Sequence, residues 1–516
     1  MEKIWKRLKK TEYSLPFFSA LIVGFLTHMY VFVNKFPNSD AMTNFHFNQN
    51  MVTSGRWFLM PACAISSYYD LNWIIGVLSV LYLSVAAVLL TRFLEVKTRI
   101  GRILIPALLV TFPAVTSTAA YLYTMDGYMI AVILAILAPL LTKKYKWGFL
   151  PGGVLLAFSL GIYQAYLAMT VLLCLFAIME MVINRETLKK IWIAGVKYLA
   201  MGGIGGVLYY VILQICLAVS GKELDTYQGL NEMGSISLSA IPERIYKMYY
   251  DFAAFALKGR IFMNSGFSTI LVLLLVVVST LLFVVLLVQK KTYKDWYRLL
   301  ILAAVFLITP FCCNIVLLMS GEIDYHLLMR MQWVIFPMIC VVLFDRIYEK
   351  NYEWKDEKKG KVSSLYIISQ AGFLLIAALS FHFAICDNVA YFNMNERYEK
   401  TYAYCLRLLD RMEQTEGYQP LMEVAMIGVV NEENYPDTDI TTPYTERISG
   451  ANGSILLNNG IQYAGFMRHY LNVVIYPVSG NRLVDIYNSP EYQALDAFPA
   501  ANSMKVVDGI LYIKTE

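Results

Sequence analysis

The chain has 516 residues, of which 58% are hydrophobic and 16% are charged, and its mean hydropathy is +0.52. A soluble globular protein is usually about 45–50% apolar, so this composition indicates a membrane protein. The formal net charge of +5 combines a basic excess in residues 1–383 with an acidic excess in residues 384–516. No Arg-rich stripe with interleaved aromatic residues occurs on a polar segment, which argues against nucleic acid as a partner.

Long apolar runs predict membrane-spanning helices. The first run, Leu15–Val33, follows a basic N-terminus, and because no small-residue cleavage motif closes it we predict a retained signal-anchor. Runs of about 17–25 residues suit helices, whereas an outer-membrane barrel needs alternating strands of about ten residues. We therefore predict an all-α polytopic membrane bundle of eleven spans, at 15–33, 71–91, 103–120, 128–141, 149–161, 164–183, 191–219, 267–289, 299–319, 331–348 and 365–383.

The distribution of basic residues predicts the orientation of these spans. The N-terminal segment and the loops on its side contain 25 Lys and Arg residues, against 8 in the opposite loops. This asymmetry predicts that the N-terminus is cytoplasmic and the C-terminal region is outside. The spans at 128–141 and 149–161 are too short to cross alone, so we expect a partly re-entrant pair there, shielded by protein.

Two outer loops, 34–70 and 220–266, are too long to be simple connections. The second contains apolar residues at helical spacing behind Pro242. Such an amphipathic stripe either lies in the membrane interface or packs on neighbouring spans.

The C-terminal residues, 384–516, predict a small extracytoplasmic α/β domain beside a transmembrane domain formed by residues 1–383. It contains no Gly-rich phosphate loop after a strand, so no nucleotide cofactor is expected. The predicted elements are an amphipathic helix near 398–416, strands at Glu423–Val430 and Asn472–Tyr476, and a hairpin over 506–511.

The eight cysteines show no CxxC or paired Cys/His spacing, and most lie in apolar runs, where a thiol usually behaves as a small hydrophobe. Only Cys386 and Cys405 lie together outside the predicted spans. A disulfide between them would require an oxidising compartment, and the sequence leaves that pairing open.

Two carboxylates stand alone at predicted outer ends of spans. Asp40 follows the first span and Asp126 follows the third. Partial desolvation at the membrane surface could raise the pKa of either group and suit it to general-base catalysis. The alternative is helix capping, by Asp40 of a short helix over 41–53 and by Asp126 of the fourth span, and on sequence alone we place capping first.

Two arginines occupy similar positions. Arg56, followed by Trp57, precedes the second span, and Arg330, followed by Gln332, begins the tenth. A planar, permanently charged guanidinium suits a phosphate held at headgroup depth. Each arginine could instead extend to lipid headgroups.

Further polar candidates lie close to these arginines or at a bend. Asp324 and His326 share the outer loop of Arg330 and add a titratable pair. Tyr163 and Gln164 form a polar bend after the fifth span, where a glutamine can bind a sugar or cap a broken helix. We include all four, with Trp57 and Gln332, among the candidates for binding a substrate.

With these residues identified, the chain resembles the bacterial serotype-converting membrane glucosyltransferases, which modify O-antigen and other surface polysaccharides and are of GT-C type. The motifs run in the family's order over about 330 residues, and the C-terminal region is also similar. They are Asn38-Ser39-Asp40, Ser54-Gly55-Arg56-Trp57, Tyr123-Thr124-Met125-Asp126, Gly161-Ile162-Tyr163-Gln164-Ala165-Tyr166 and Arg330-Met331-Gln332-Trp333.

The resemblance implies an inverting hexosyltransferase in the bacterial cytoplasmic membrane. Such an enzyme moves one hexose, here expected to be glucose, from a polyprenyl-phosphate donor to an acceptor glycan on the outer face. It also implies that Asp40 is the general base and Asp126 a second acidic site residue. Asp40 has no adjacent carboxylate, and a divalent cation normally needs several oxygen ligands, so we predict a reaction without a metal or other cofactor.

Two other functions remain as alternatives. A polysaccharide polymerase would use an oligosaccharide on polyprenyl pyrophosphate. A transporter or lipid-linked sugar flippase would carry charges or broken helices at midplane depth, and charged residues are almost absent from the predicted span centres.

Overall fold

The computed structural model describes residues 10–43, 45–226, 238–319, 323–357 and 363–516. Most of the basic segment Met1–Lys10, together with parts of the predicted loops 220–266 and 320–330, lies outside the described residues. The described chain is mostly helical, with a small sheet near its C-terminus.

Apolar helices form the bundle, as the sequence predicts. Within the described ranges, nine helices are long and apolar enough to cross a membrane, or ten with one bent pair counted as a span. The helices up to the last span are α1 Thr11–Val33, α2 Leu59–Cys63, α3 Asn72–Phe93, α4 Arg99–Thr111, α5 Pro113–Ala119, α6 Met125–Lys144, α7 Phe149–Ile162, α8 Leu167–Ile183, α9 Leu188–Ser220, α10 Ile241–Lys258, α11 Gly266–Gln289, α12 Trp296–Cys313, α13 Ile335–Glu357 and α14 Ser364–Gln414.

Short 3₁₀ helices connect many of these elements, and several of them carry candidate site residues. Their bounds are Asp40–Thr43, Val52–Ser54, Ala64–Ser66, Leu122–Thr124, Gln164–Tyr166, Leu238–Ala240, Thr292–Lys294, Ile315–Leu318, Leu327–Met329 and Met331–Val334.

The predicted span 103–120 is broken in the structure. Helices α4 and α5 meet at an angle of 41°. The break lies at Phe112, whose extended backbone (φ −68°, ψ 128°) precedes Pro113. A residue before proline is disfavoured in the α region, so the local sequence explains the bend.

The predicted pair 128–141 and 149–161 is only partly confirmed. Helix α6 has 20 residues and belongs to a candidate span of 23 residues, so the expectation that it is too short was wrong. Helix α7 has 14 residues and reaches only about 21 Å at 1.5 Å per residue. It packs between α6 and α9, and Ser159 on α7 donates to the Ala131 carbonyl at 2.9 Å.

Helix α14 is a single element of 51 residues, about 75 Å long. It contains the last predicted span, the predicted boundary at 383/384 and most of the predicted helix 398–416. Cys386 and Cys405 both lie on it as free, buried thiols. Nineteen residues of helix separate them by about 28 Å, far beyond the reach of a disulfide.

The C-terminal residues form a four-stranded sheet of the strands β1 Glu423–Ala425, β2 Tyr476–Pro477, β3 Met504–Val507 and β4 Ile510–Ile513, in the spatial order β2-β1-β4-β3. Strands β3 and β4 form the predicted hairpin, which is confirmed by antiparallel pairing, whereas β1 pairs in parallel with β2 and β4. The observed strands are shorter than predicted. The helices of this part of the chain are α15 Thr442–Thr445, α16 Gly460–Tyr470, α17 Asn481–Tyr487 and α18 Pro490–Gln493.

The amphipathic stripe behind Pro242 forms α10. Its Met248 and Phe255 side chains are buried, and the helix contacts α12 and the 3₁₀ turn after it. The buried residues of this stripe therefore pack on neighbouring helices and do not lie in the membrane interface.

Charged side chains form ion pairs at the end of the bundle opposite the C-terminal sheet. Lys143 lies 2.8 Å from Glu95 and 3.5 Å from Glu180. Arg346 also pairs with Glu180. These residues lie in or beside the loops for which the sequence predicts a cytoplasmic position.

Candidate active site at the sheet-bearing end of the bundle

The candidate site residues all lie at the end of the bundle that contacts the C-terminal residues. The Ser449 backbone N–H donates to the Ser117 hydroxyl at 3.0 Å. Arg260, just beyond α10, pairs with Glu446 at 2.5 Å. Chain connectivity then brings to this end the start of α6 and the segments that follow α1, α7 and α12.

Arg56 lies against a pair of stacked tyrosines. Its Nη1 donates to the Tyr128 hydroxyl at 3.1 Å, and its guanidinium carbon lies 4.7 Å from the centre of the Tyr163 ring. The two rings stack at 4.5 Å with an angle of 7°. We call Arg56, Tyr128 and Tyr163 the arginine-tyrosine cluster.

The hydrogen-bonding capacity of the Arg56 guanidinium is not fully used within the described residues. Its Nε is buried and finds no hydrogen-bond partner among the described residues. Buried donors normally have partners, so this arrangement suits a guanidinium that receives an anion from outside the chain.

Gln164 braces the turn that presents Arg56. Its Nε2 donates to the Ser54 carbonyl at 3.1 Å and to the Tyr209 hydroxyl at 3.0 Å, and Tyr209 donates to the Gly55 carbonyl at 3.1 Å. Gly55 has φ +73°, a conformation that glycine adopts without strain. Here Gln164 orients the backbone around Arg56.

Trp57 packs behind the same turn, on α7. Its ring lies 5.4 Å from the Phe158 ring, and a Cβ at Gly161 would come within 2.5 Å of the indole. The indole Nε1 is buried without a hydrogen-bond partner in the described chain. Trp57 therefore holds the turn in place by close packing and not by a hydrogen bond.

Asp40 begins the 3₁₀ helix Asp40–Thr43 and is exposed. The predicted helix over 41–53 was wrong in extent, since only this short turn and Val52–Ser54 are helical there. Asn38 supports the turn, with its Oδ1 accepting from the Ala41 N–H at 2.9 Å and its Nδ2 donating to the Ala120 carbonyl at 2.5 Å.

The surroundings of Asp40 suit proton acceptance. Partial desolvation of its carboxyl group raises the pKa of Asp40 above the usual value. Tyr123 lies within electrostatic range of both Asp40 and Arg56, so the carboxylate and the guanidinium act electrostatically on the same tyrosine.

Asp126 is not part of this arrangement. It lies in the first turn of α6, two residues after the N-cap Thr124, so the prediction that it is the N-cap was wrong by two positions. Its side chain is fully buried and accepts from the Gly127 N–H at 2.8 Å. Side chains that are two residues apart on a helix point in directions about 200° apart around the helix axis. The Asp126 side chain is therefore directed away from Tyr128.

Arg330 is paired within the protein. Its Nη1 and Nη2 donate to the two carboxylate oxygens of Asp251 at 2.7 and 2.8 Å, and its Nε donates to the Tyr325 carbonyl at 3.0 Å. The guanidinium carbon also lies 3.8 Å from the Tyr325 ring centre and 4.5 Å from that of Phe255. Arg330 is buried, so extension to lipid headgroups does not describe it.

Gln332 lies beside the Arg330–Asp251 pair, whereas the candidates Asp324 and His326 do not contact it. Gln332 is buried and donates to the Tyr325 hydroxyl at 2.6 Å and to the Cys313 carbonyl at 2.7 Å. Asp324 and His326 lie on the surface, with His326 Nε2 3.2 Å from Asp324 Oδ2.

Asp251, Tyr128 and Tyr209 are not among the site residues predicted from the sequence. For Asp251 a signal exists, because it lies on the apolar stripe of α10 between Met248 and Phe255, where a carboxylate needs a partner. The two tyrosines lie inside apolar runs, and nothing in the local sequence distinguishes them.

Within the part of the chain that is described, no group of three His, Cys, Asp or Glu side chains is arranged to hold a metal ion. Metal independence stays a prediction.

A family model described as "Glucosyl transferase GtrII" matches residues 29–344. The match covers more than half of the chain and contains every candidate site residue. No curated protein and no solved structure matches the chain.

Proposed function

This chain belongs to the glucosyl transferase GtrII family, and on that premise we propose that it transfers one glucose from a polyprenyl-phosphate donor to an acceptor glycan. The family makes it a glucosyltransferase, and its apolar helices make it a multi-pass membrane protein. The donor class, the single-sugar transfer with inversion and the outer face of the bacterial cytoplasmic membrane are the parts that we propose.

The observation that carries this proposal is the arginine-tyrosine cluster at a bundle end. Arg56 makes one hydrogen bond to Tyr128 and has a buried Nε without a partner in the described chain. A lipid tail held in the bilayer would confine its phosphate to headgroup depth, which replaces a diffusional search by positioning. The unused guanidinium donors would bind that phosphate with charge-assisted hydrogen bonds.

Arg330 is proposed to have a structural role and not to bind the donor phosphate. The sequence alone favours Arg330 over Arg56 for the donor phosphate, because the loop of Arg330 contains further polar residues. In the structure, however, both terminal nitrogens of Arg330 are paired with Asp251. We therefore assign the phosphate to Arg56 and give Arg330, with Gln332, the task of fixing the segment before α13.

The reaction balances with these residues. The acceptor hydroxyl oxygen attacks the anomeric carbon, its proton passes to the Asp40 carboxylate, and the bond from the anomeric carbon to the phosphate oxygen breaks. The leaving polyprenyl phosphate retains the bonding electron pair, and Arg56 stabilises its charge. The raised pKa of Asp40 supports this role, because a general base works best when its pKa approaches the operating pH.

The orientation is proposed from charge. The 25 basic residues predicted on one side include Lys143 and Arg346, which form ion pairs at the end away from the C-terminal sheet. Basic loops remain on the cytoplasmic side, which would leave Asp40, Arg56 and the C-terminal residues outside.

The test is a donor panel with the full chain in lipid nanodiscs. Polyprenyl-phosphate glucose, polyprenyl-pyrophosphate oligosaccharide and UDP-glucose are each supplied with a cell-envelope glycan extract, and release of lipid phosphate or nucleotide is followed. We expect consumption of the monophosphate donor alone by the wild type and by the surface variant Asp485→Asn. Consumption of the pyrophosphate donor alone would instead identify a polymerase, and movement of intact donor between leaflets without cleavage would identify a flippase.

A further inference from the structure

A turn of the C-terminal residues enters the apolar core of the bundle. Residues 448–451 form this turn, in which the Ala451 N–H donates to the Ile448 carbonyl at 3.1 Å. The side chains of Ile448 and Ala451 are buried in the same apolar cluster as Ala120, which follows α5. We call residues 448–451 the buttress turn. The bundle holds this turn as part of its own core.

Two side chains of α14 hold the buttress turn from the other side. Asn393 Nδ2 donates to the Ala451 carbonyl at 2.9 Å, and Arg397 Nη1 donates to the Gly450 carbonyl at 2.6 Å. Asn393 and Arg397 are four residues apart, so they lie on one face of α14. Asp439 accepts from Asn393 Nδ2 at 3.1 Å and lies within electrostatic range of Arg397. One helix therefore fixes the turn at two successive carbonyls.

Gly450 is held against the end of α5. It has φ +78°, and a Cβ built on it would lie 2.8 Å from the Ala120 Cβ. Carbon atoms in contact are normally about 3.5–4.0 Å apart, so only glycine fits here without a shift. The neighbouring Ser449 N–H donates to the Ser117 hydroxyl of α5 at 3.0 Å. The buttress turn therefore bears directly on the C-terminal end of α5.

The end of α5 in turn holds the backbone of the proposed base. The Ala120 carbonyl accepts from Asn38 Nδ2 at 2.5 Å, and Asn38 Oδ1 accepts from the Ala41 N–H at 2.9 Å. Asn38 and Ala120 are both buried. Asp40 lies between Asn38 and Ala41 in the chain, at the start of a 3₁₀ turn. A displacement of Ala120 is therefore passed to the backbone that carries Asp40.

Arg56 is held by other contacts. Gln164 donates to the Ser54 carbonyl at 3.1 Å, and Tyr209 donates to the Gly55 carbonyl at 3.1 Å. A change at the buttress turn should therefore act on the base more than on the donor phosphate.

We propose that Asn393, Arg397 and Gly450 are positioning residues for Asp40, because they hold the buttress turn against Ala120. The inference rests on the proposed glucosyl transfer, in which Asp40 accepts the proton of the acceptor hydroxyl. It gives the C-terminal residues a part in the reaction, since a misplacement of about 1 Å can cost about 10² in rate.

Substitutions at two glycines separate the contact with Ala120 from backbone strain. Gly450→Ala and Gly453→Ala each add a methyl group at positive φ, +78° and +88°, but a Cβ at Gly453 meets no described atom within 4 Å. With the full chain in nanodiscs, hydrogen–deuterium exchange follows residues 38–43 and donor kinetics give kcat and KM. We expect Gly450→Ala to lose protection of the Ala41 amide and to lower kcat about tenfold or more, with the donor KM within about twofold. Gly453→Ala should keep the wild-type exchange and kcat.

Further variants test the two contacts of Gly450. Ala120→Gly removes the methyl group that the new Cβ would meet, so the double variant Gly450→Ala/Ala120→Gly should regain most of the lost kcat. Arg397→Gln removes the bond to the Gly450 carbonyl without added volume and should lower kcat by about threefold or more. Arg411→Gln is the matched control on α14, because Arg411 Nη1 donates to the Ala500 carbonyl at 3.0 Å, and its kcat should stay unchanged.

The outcomes separate this inference from the proposed function. Wild-type exchange of residues 38–43 in Gly450→Ala, or equal kcat for Gly450→Ala and Gly453→Ala, would overturn the positioning role even if the wild type consumes the donor. If Gly450→Ala does not fold, Arg397→Gln and Arg411→Gln decide by the same two readouts. If Gly450→Ala alters the exchange but the wild type consumes no lipid-linked donor, the proposed function is contradicted, while the contact path to Asp40 is supported.

Discussion

The guanidinium of Arg330 and the carboxylate of Asp251 form a two-pronged ion pair, with N···O distances of 2.7 and 2.8 Å, between the segment before α13 and the helix α10. The two residues are 79 positions apart in the chain, and Arg330 is almost completely buried, with 7% of its surface exposed. The pair therefore joins two parts of the bundle end that the sequence alone does not connect.

Breaking this pair should cost stability. Asp251→Asn leaves the buried Arg330 charge without its counter-ion, and we expect the free energy of unfolding to fall by about 3 kcal/mol. Glu423→Gln is a matched control, because Arg482 holds Glu423 with the same geometry, at 2.8 and 2.8 Å, on the surface. That change should cost less than about 1 kcal/mol. Denaturant unfolding of both variants in detergent measures the difference, and equal losses would refute a special role for the buried pair.

Substitutions of the two carboxylates predicted from the sequence, Asp40 and Asp126, should differ in their effect on activity. Asp40→Asn removes the proposed proton acceptor and should lower kcat by about 10² or more without a change in the unfolding midpoint. Asp126→Asn alters a buried side chain that is directed away from Tyr128, and its kcat should stay within about tenfold of the wild type. Steady-state donor turnover gives both values, and near-normal turnover by Asp40→Asn would remove Asp40 from the mechanism.

Arg56 and Arg330 should differ under the same conservative change. Lys keeps the charge but lacks the planar fork, so Arg56→Lys should lower kcat/KM for the donor by about tenfold or more. Arg330→Lys should lower the unfolding midpoint while its kcat/KM changes less. Donor kinetics at limiting and saturating concentration, with a thermal melt of each variant, distinguish the two arginines. If Arg56→Lys has wild-type kinetics, the donor phosphate binds elsewhere.

The pH profile should report the environment of Asp40. A base must be deprotonated to act, so turnover falls as the pH drops through its pKa. Because partial desolvation raises that pKa, the acid limb of kcat/KM should lie above the ordinary carboxyl value of about 4. An acid limb at or below that value would show that another group is titrating.

Chelation should leave the reaction intact. Arg56 is proposed to supply the positive charge at the leaving phosphate, so turnover in excess EDTA should equal turnover in its absence. Loss of turnover in EDTA, restored by Mg²⁺ or Mn²⁺, would show that a divalent cation shares this task.

The sequence carries enough information for the bundle but not for the pairing at its end. Span length predicts the helices because an apolar run must match the bilayer, and Val506–Leu511 predicts the hairpin through its Asp-Gly turn. The bend at Phe112 was also visible in principle, since Pro113 follows it. Asp251 and Arg330 could not be paired in this way, because helical periodicity reports which face of a helix is apolar and not which distant residue meets it.

The candidate site shows the same limit. Asp40 and Arg56 follow from lone charges next to apolar runs, which a local pattern detects. Tyr128 and Tyr209 resemble the other tyrosines of the chain in the sequence. Their parts appear only in the structure, where Tyr128 accepts a hydrogen bond from Arg56 and Tyr209 donates to the Gly55 carbonyl.

The most direct test of the central claim is sided turnover in proteoliposomes. Protein is reconstituted in both orientations, polyprenyl-phosphate glucose is added to the outer leaflet and a membrane-impermeant envelope glycan is added outside. Limited protease digestion of parallel samples measures the fraction of molecules whose C-terminal residues face outward. We predict that the rate of glycan glucosylation is proportional to this fraction, with Asp40→Asn inactive throughout. A rate proportional to the fraction whose C-terminal residues face inward would contradict a reaction at the end of the bundle that carries them.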